Sequence, residues 1–162
     1  MKKSILFCSL FFTSIQANAG DVISTKSIGM ELARDIASET VLVCRKQGYQ
    51  ISAVVVDRHG LIRAALRDDL ASRFTLQIAE EKANAVVMSG QNSGDFVKAR
   101  QDIQQELNHI NGLIMMEGGV AINAGGYRLG AVGVSGAPGG DKDEACALLA
   151  LEKFAEKLEF MD

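Results

Sequence analysis

The chain has 162 residues and sets 17 Lys and Arg against 20 Asp and Glu, a net charge of −3. An acidic chain with no basic run excludes nucleic acid and an anionic membrane surface as partners. The length suits one domain of ordinary size with a single core.

The first 19 residues read as a segment of their own. Lys2 and Lys3 open it, residues 5–12 are apolar, and Ala17-Asn18-Ala19 puts small residues before a cut at Gly20. This is the pattern of a secretory signal peptide. A membrane span takes about 20 apolar residues, and Ser9, Thr13, Ser14, Gln16 and Asn18 interrupt sooner. Cys8 lies inside the apolar stretch rather than at the cut, which argues against a lipidated N-terminus. Removal leaves a single domain of residues 20–162 with a net charge of −5, since Lys2 and Lys3 leave with the signal. A periplasmic or secreted protein with no membrane span after signal removal is expected.

In residues 25–47, Ile28, Leu32, Ile36 and Val43 recur at helical spacing, and Gly48 stops the run. Residues 51–56 are a short β-branched run, Asp57-Arg58-His59-Gly60 supplies a turn, and residues 61–67 return as a second strand. Residues 71–89 regain helical spacing, with Phe74, Ile78, Ala85 and Met88 on one face and Arg73, Glu80, Glu81 and Lys82 facing out. Residues 95–107 form a weaker, polar helix. Residues 113–116, 120–123 and 128–135 read as strands. The last helix spans residues 141–158, with Asp141 and Glu144 at capping-box spacing and an apolar stripe of Ala145, Leu148, Leu151, Ala155 and Leu158. Helix, two strands, two helices, three strands and a helix do not alternate regularly. That order predicts an α+β fold, a five-stranded antiparallel sheet flanked by helices.

Chemistry is sparse. Cys44 and Cys146 survive processing; an oxidising compartment permits a disulfide, while their apolar helical contexts equally suit buried thiols. No Cys-x-x-Cys or His-x-x-x-His spacing marks a zinc site. His59 sits at a hairpin tip, where an imidazole can ligate a metal or haem iron, act as an acid–base group, or simply be solvated. His109 reads as a loop residue. Met88, Met115 and Met116 could supply soft ligands, though methionine at such positions is normally core filler. Ten of the 16 glycines fall between Gly112 and Gly140. The junction Ser135-Gly136-Ala137-Pro138-Gly139-Gly140 opens the last helix and could hold a carboxylate, but Asp141, Asp143 and Glu144 crowd it and equally complement the helix dipole. No residue set reads as catalytic.

Taken in order, Ala53-Val54-Val55-Val56-Asp57-Arg58-His59-Gly60, Arg67-Asp68, Lys82-Ala83, Gly118-Gly119-Val120-Ala121-Ile122 and Gly130-Ala131-Val132-Gly133-Val134-Ser135-Gly136-Ala137-Pro138-Gly139-Gly140-Asp141, followed by Asp143-Glu144-Ala145-Cys146, form one pattern. It resembles the GlcG/HbpS family of small haem-binding proteins, related to the C-terminal domain of PduO-type proteins, over the whole mature chain. The resemblance implies a profilin- or PAS-like fold, homo-oligomers (dimer or higher), and haem as a small-molecule ligand. It also implies haem capture or redox sensing; haem degradation and a non-catalytic ligand-binding or assembly module are the alternatives. On this footing His59 is the expected haem and metal ligand, Arg58 and Arg63 the propionate partners, and Gly139 and Gly140 further cofactor-binding positions. His59 departs from the small residue expected before the turn glycine, and the polar stretch 95–107, with three glutamines, departs from the expected apolar linker.

Overall fold

A computed structural model describes residues 23–160; the predicted signal peptide lies outside them. The elements in chain order are α1 (Met30–Lys46), β1 (Ser52–Asp57), β2 (Ile62–Arg67), α2 (Thr75–Ser89) and α3 (Ser93–Ala99). A 3-10 turn (Gln101–Ile103) and the single turn α4 (Gln104–Leu107) follow, then β3 (Gly119–Ala124), β4 (Tyr127–Ser135), α5 (Gly140–Glu152) and α6 (Ala155–Glu159).

The sheet has four strands rather than five, in the order β2-β1-β4-β3, and every neighbouring pair is antiparallel. The expected strand at residues 113–116 does not form. Its backbone is satisfied by side chains instead: Met115 N–H donates to Asn108 Oδ1 at 2.7 Å, and Gln104 Nε2 donates to the Met115 carbonyl at 3.2 Å. Leu113 and Met115 then bury against Ala85, Phe96 and Leu107, so the segment packs under α3 and α4 without joining the sheet.

Period-two alternation sorts the sheet into two faces. Ala53, Val55, Val120, Ile122, Val132 and Val134 face the layer of α1 and α5. Val54, Val56 and Ala131 face α2. That helix buries small side chains, Ala79, Ala83 and Val86, because it lies very close to β4: a Cβ at Gly133 would overlap the Ala79 carbonyl oxygen. The expected face of Phe74, Ile78, Ala85 and Met88 is therefore wrong for α2. Phe74 precedes the helix and is exposed, Met88 is exposed, and Lys82 is buried rather than outward.

The first helix starts later than expected, because residues 23–29 run as an extended arm whose Ile28 N–H donates to the Leu129 carbonyl. The last helix breaks at Lys153 and Phe154, and its expected stripe is displaced: Cys146, Ala147 and Ala150 are buried while Leu148 is exposed. No side chain caps α5, so the capping box is absent; Asp143 Oδ1 accepts the Ala137 N–H instead, at 3.0 Å. A disulfide joins Cys44 of α1 to Cys146 of α5, with the Cα atoms 5.4 Å apart. No helix among the described residues is long and apolar enough to cross a membrane.

Candidate functional site

The tip between β1 and β2 is held by one carboxylate. Asp57 is buried, and its Oδ1 accepts the N–H groups of His59 (2.9 Å) and Leu61 (3.1 Å). Gly60 takes φ +83°, which an L side chain rarely adopts, and its N–H returns to the Asp57 carbonyl. The turn chemistry thus fixes the backbone of His59 and leaves its imidazole exposed. Beside the tip runs a cleft of about 290 Å³, lined by His59, Asn84, Val87 and Met88 together with residues 110–113. A second cleft of about 650 Å³, reaching Gln77, Glu81 and Met116, lies along the same 110–113 segment. Asn84 donates from Nδ2 to the Gly112 carbonyl at 2.9 Å. Its Oδ1 is buried and without a partner, 3.0 Å from where a Cβ on Gly60 would stand. A buried acceptor left open beside a cleft is available to a donor on a ligand.

The other expected site residues are dispersed. Arg58 donates to the Lys26 carbonyl of the N-terminal arm at 3.3 Å and does not line the cleft. Arg63 is exposed and falls at the register shift of β2, between Ala64 opposite Val55 and Ile62 opposite Val56, and it does not line the cleft. Gly139 and Gly140 open α5 against Glu117 and Asp141, away from the residues lining the His59 cleft. His109 is exposed outside that lining. Among the described residues no group of three or more His, Cys, Asp or Glu could hold a metal ion. A bare ion at His59 would therefore lack companions of those types.

With this geometry in place, the HbpS-like family, described as haem degrading protein HbpS-like, matches residues 28–152. The chain belongs to the HbpS-like family. Among solved structures it is similar to an HbpS double mutant of Streptomyces reticuli, at 28% identity over 89% of this chain and 98% of that one, with a TM-score of 0.77. It is similar also to the Klebsiella pneumoniae protein ORFY, at 24% identity over 91% and 98% of the two chains (TM-score 0.75). A PduOC:heme complex shares the fold at 19% identity, over 78% of this chain and 94% of that one (TM-score 0.70). No curated protein matches.

In this HbpS-like chain a second polar centre escaped the sequence reading. Lys82 Nζ meets Asp143 Oδ2 at 2.7 Å and donates to the Val134 carbonyl at 3.0 Å, with both side chains almost wholly buried. Burial pushes the Asp143 carboxyl above its ordinary range, against the pull of Lys82 and the Ala137 N–H. A signal existed: Lys82 shares the i, i+3, i+4, i+7 face of Ala79, Ala83 and Val86. Nearby, Glu117 Oε1 and Glu144 Oε2 both lie within 2.9 Å of the position a Cβ on Gly94 would take. Glu144 Oε2 is buried and unpartnered, and burial followed by the charge of Glu117 raises its carboxyl. At the C-terminal end of α1, Arg45 grips Asp68 with two nitrogens and holds that carboxyl below its usual range.

Proposed function

We propose that this HbpS-like chain is an exported haem-binding protein that takes haem in the cleft beside His59, for haem capture or redox sensing. The observation that carries the reading is an exposed imidazole at the edge of a cleft walled by Val87, Met88, Ile110 and Leu113, in a chain of this family. The cleft offers chemistry that suits one edge of the group. Apolar side chains suit the porphyrin face and an imidazole suits the iron. Neither Arg58 nor Arg63 lines the cleft, so the reading rests on the imidazole and the apolar wall and assigns no propionate clamp. Bound haem supplies a redox-active iron; the protein supplies an axial nitrogen, an apolar wall and orientation. The solved PduOC:heme complex, on the same fold, supports haem over other ligands.

Assembly belongs to the same proposal. The outer edge of β3 has no strand partner among the described residues, and a groove of about 560 Å³ runs beside it under the exposed Leu148. Homo-oligomers would cover that edge. The signal-peptide pattern supports a periplasmic or secreted location.

A haemin titration of the mature protein, followed by absorbance, tests the function. The expected result is saturable binding near one haem per subunit or per dimer with a defined Soret shift. Linear, non-saturating change would overturn it. Consumption of the haem once a reductant is added, faster than for free haem, would move the reading to the haem-degrading alternative.

A further inference from the structure

Asn111-Gly112 is the one Asn-Gly step in the chain, and the fold leaves it open. Leu113 N–H donates to the Ile110 carbonyl at 3.1 Å, which closes a turn with Asn111 and Gly112 at its centre. Gly112 takes φ +81°, and apart from its chain neighbours a Cβ built on it would meet only Asn84 Nδ2, at 3.8 Å. Asn111 is exposed, and among the described residues neither its side-chain amide nor the Gly112 N–H is engaged by a hydrogen bond. An unshielded backbone nitrogen thus stands next to an unheld carboxamide. The other described asparagines lack that combination. Asn92 Oδ1 accepts the Ala121 N–H at 3.1 Å, and Asn108 Oδ1 accepts the Met115 N–H at 2.7 Å. Asn84 lies inside α2 and Asn123 inside β3, where regular hydrogen bonding fixes the backbone.

We infer that Asn111 is a site of hydrolytic deamidation whose pace is held by Asn84. The deprotonated Gly112 nitrogen attacks Asn111 Cγ, the new C–N bond closes a five-membered succinimide, and the side-chain nitrogen leaves as ammonia. Water then opens the ring. Opening at one carbonyl gives aspartate at position 111; opening at the other gives isoaspartate, whose backbone runs through the side chain and is longer by one methylene. The atoms balance with water as co-reactant and no redox change. Ring closure needs the turn to open locally, and Gly112 is held there by the Leu113–Ile110 bond around it and by Asn84 Nδ2, which donates to its carbonyl at 2.9 Å. Either product places a carboxylate on the segment that the His59 cleft shares with the wider cleft reaching Glu81. Isoaspartate also changes the reach of the Gly112 carbonyl to Asn84. The inference does not depend on the haem reading.

The test is peptide mass spectrometry of the mature protein after timed incubation in mildly acidic and mildly alkaline buffer, with a parallel sample in urea, for the unaltered chain, Asn111→Gln and Asn84→Ala. The expected product is a gain of about 1 Da confined to the peptide that carries residue 111, separable into aspartate and isoaspartate forms. It should accumulate faster in the alkaline buffer, because the attacking nitrogen is deprotonated. Asn111→Gln should lose it, since the longer side chain would have to close a six-membered ring. Asn84→Ala should form it several-fold faster than the unaltered chain in buffer and at the same rate in urea, where the turn is gone. No product from the folded unaltered chain, while the urea sample forms it, would overturn the site. A gain that appears first at Asn92, Asn108 or Asn123 would overturn it as well. Equal rates in buffer for Asn84→Ala and the unaltered chain, both folded by circular dichroism, would overturn the role given to Asn84.

Discussion

Lys82 and Asp143 meet with almost no water around either, and that pairing sets what each can be replaced by. Removing one partner leaves a buried charge without compensation, which typically costs about 3–5 kcal/mol, while replacing both by apolar residues of similar volume is often neutral. Lys82→Ala should therefore lower the stability measured by urea unfolding by about 3 kcal/mol or more. The double replacement Lys82→Met with Asp143→Leu should recover most of that loss. The Glu117 and Glu144 pair behaves in the opposite sense. A carboxyl raised in the folded state contributes stability that is complete below its unfolded value, 4.5 for glutamate, and is lost as pH rises through the folded value. Glu144→Gln should thus raise the thermal midpoint by a few degrees at pH 7, with the gain vanishing near pH 4; equal gains at both pH values would contradict the account. Asp68, lowered by Arg45, has the reverse sign: its contribution is present above 3.8 and disappears in stronger acid. The burial of Lys82 could have been read from the helical face it shares with Ala79, Ala83 and Val86, but the pairings could not, because sequence does not say which charged groups share a wall.

At the scale of elements, the closeness of α2 to β4 governs the face that the helix presents. Gly133 has no room for a side chain, so Gly133→Ala should destabilise by about 3 kcal/mol through overpacking, read as a lower urea midpoint with soluble protein retained. The hairpin of β1 and β2 and the β3–β4 pair were legible, since β-branched runs bounded by Gly60 and by Gly125-Gly126 carry their own turn chemistry. Residues 113–116 misled for a physical reason. Leu-Ile-Met-Met is apolar enough for a buried strand, but Asn108 and Gln104 offer its backbone side-chain partners, and no neighbouring strand is needed. The helical faces misled for another. Large side chains looked like the buried stripe, yet α2 and α5 bury Ala and Cys where the backbones approach closely.

For the whole molecule, one covalent link ties the two helices on the same face of the sheet, across 102 residues of chain. A loop of that length removes much entropy from the unfolded state. Cys44→Ala with Cys146→Ala should cost about 2–5 kcal/mol, measured by urea unfolding, and a reductant should do the same to the unaltered protein but not to the variant. Sequence left thiols and disulfide both open because only the fold sets the Cα separation. The α+β class was readable from hydrophobic period, and so was the order of elements except for the strand expected at residues 113–116; the family was readable from the motif that ends in residues 130–146. The cleft was half readable: its histidine stood out, while Asn84, Met88 and Ile110 come together only through the packing of α2 against the hairpin and the 110–113 segment. The central claim is that haem occupies this cleft and not another apolar surface. The most direct measurement compares haemin affinity for Ile110→Glu, at the cleft mouth, with Leu149→Glu, in the groove between α1 and α5. Both side chains are exposed, so both variants should fold. The account predicts at least about tenfold weaker binding for Ile110→Glu, from lost apolar burial and a carboxylate set against the ligand, with Leu149→Glu unchanged. Unchanged binding in Ile110→Glu, or a loss confined to Leu149→Glu, would contradict it.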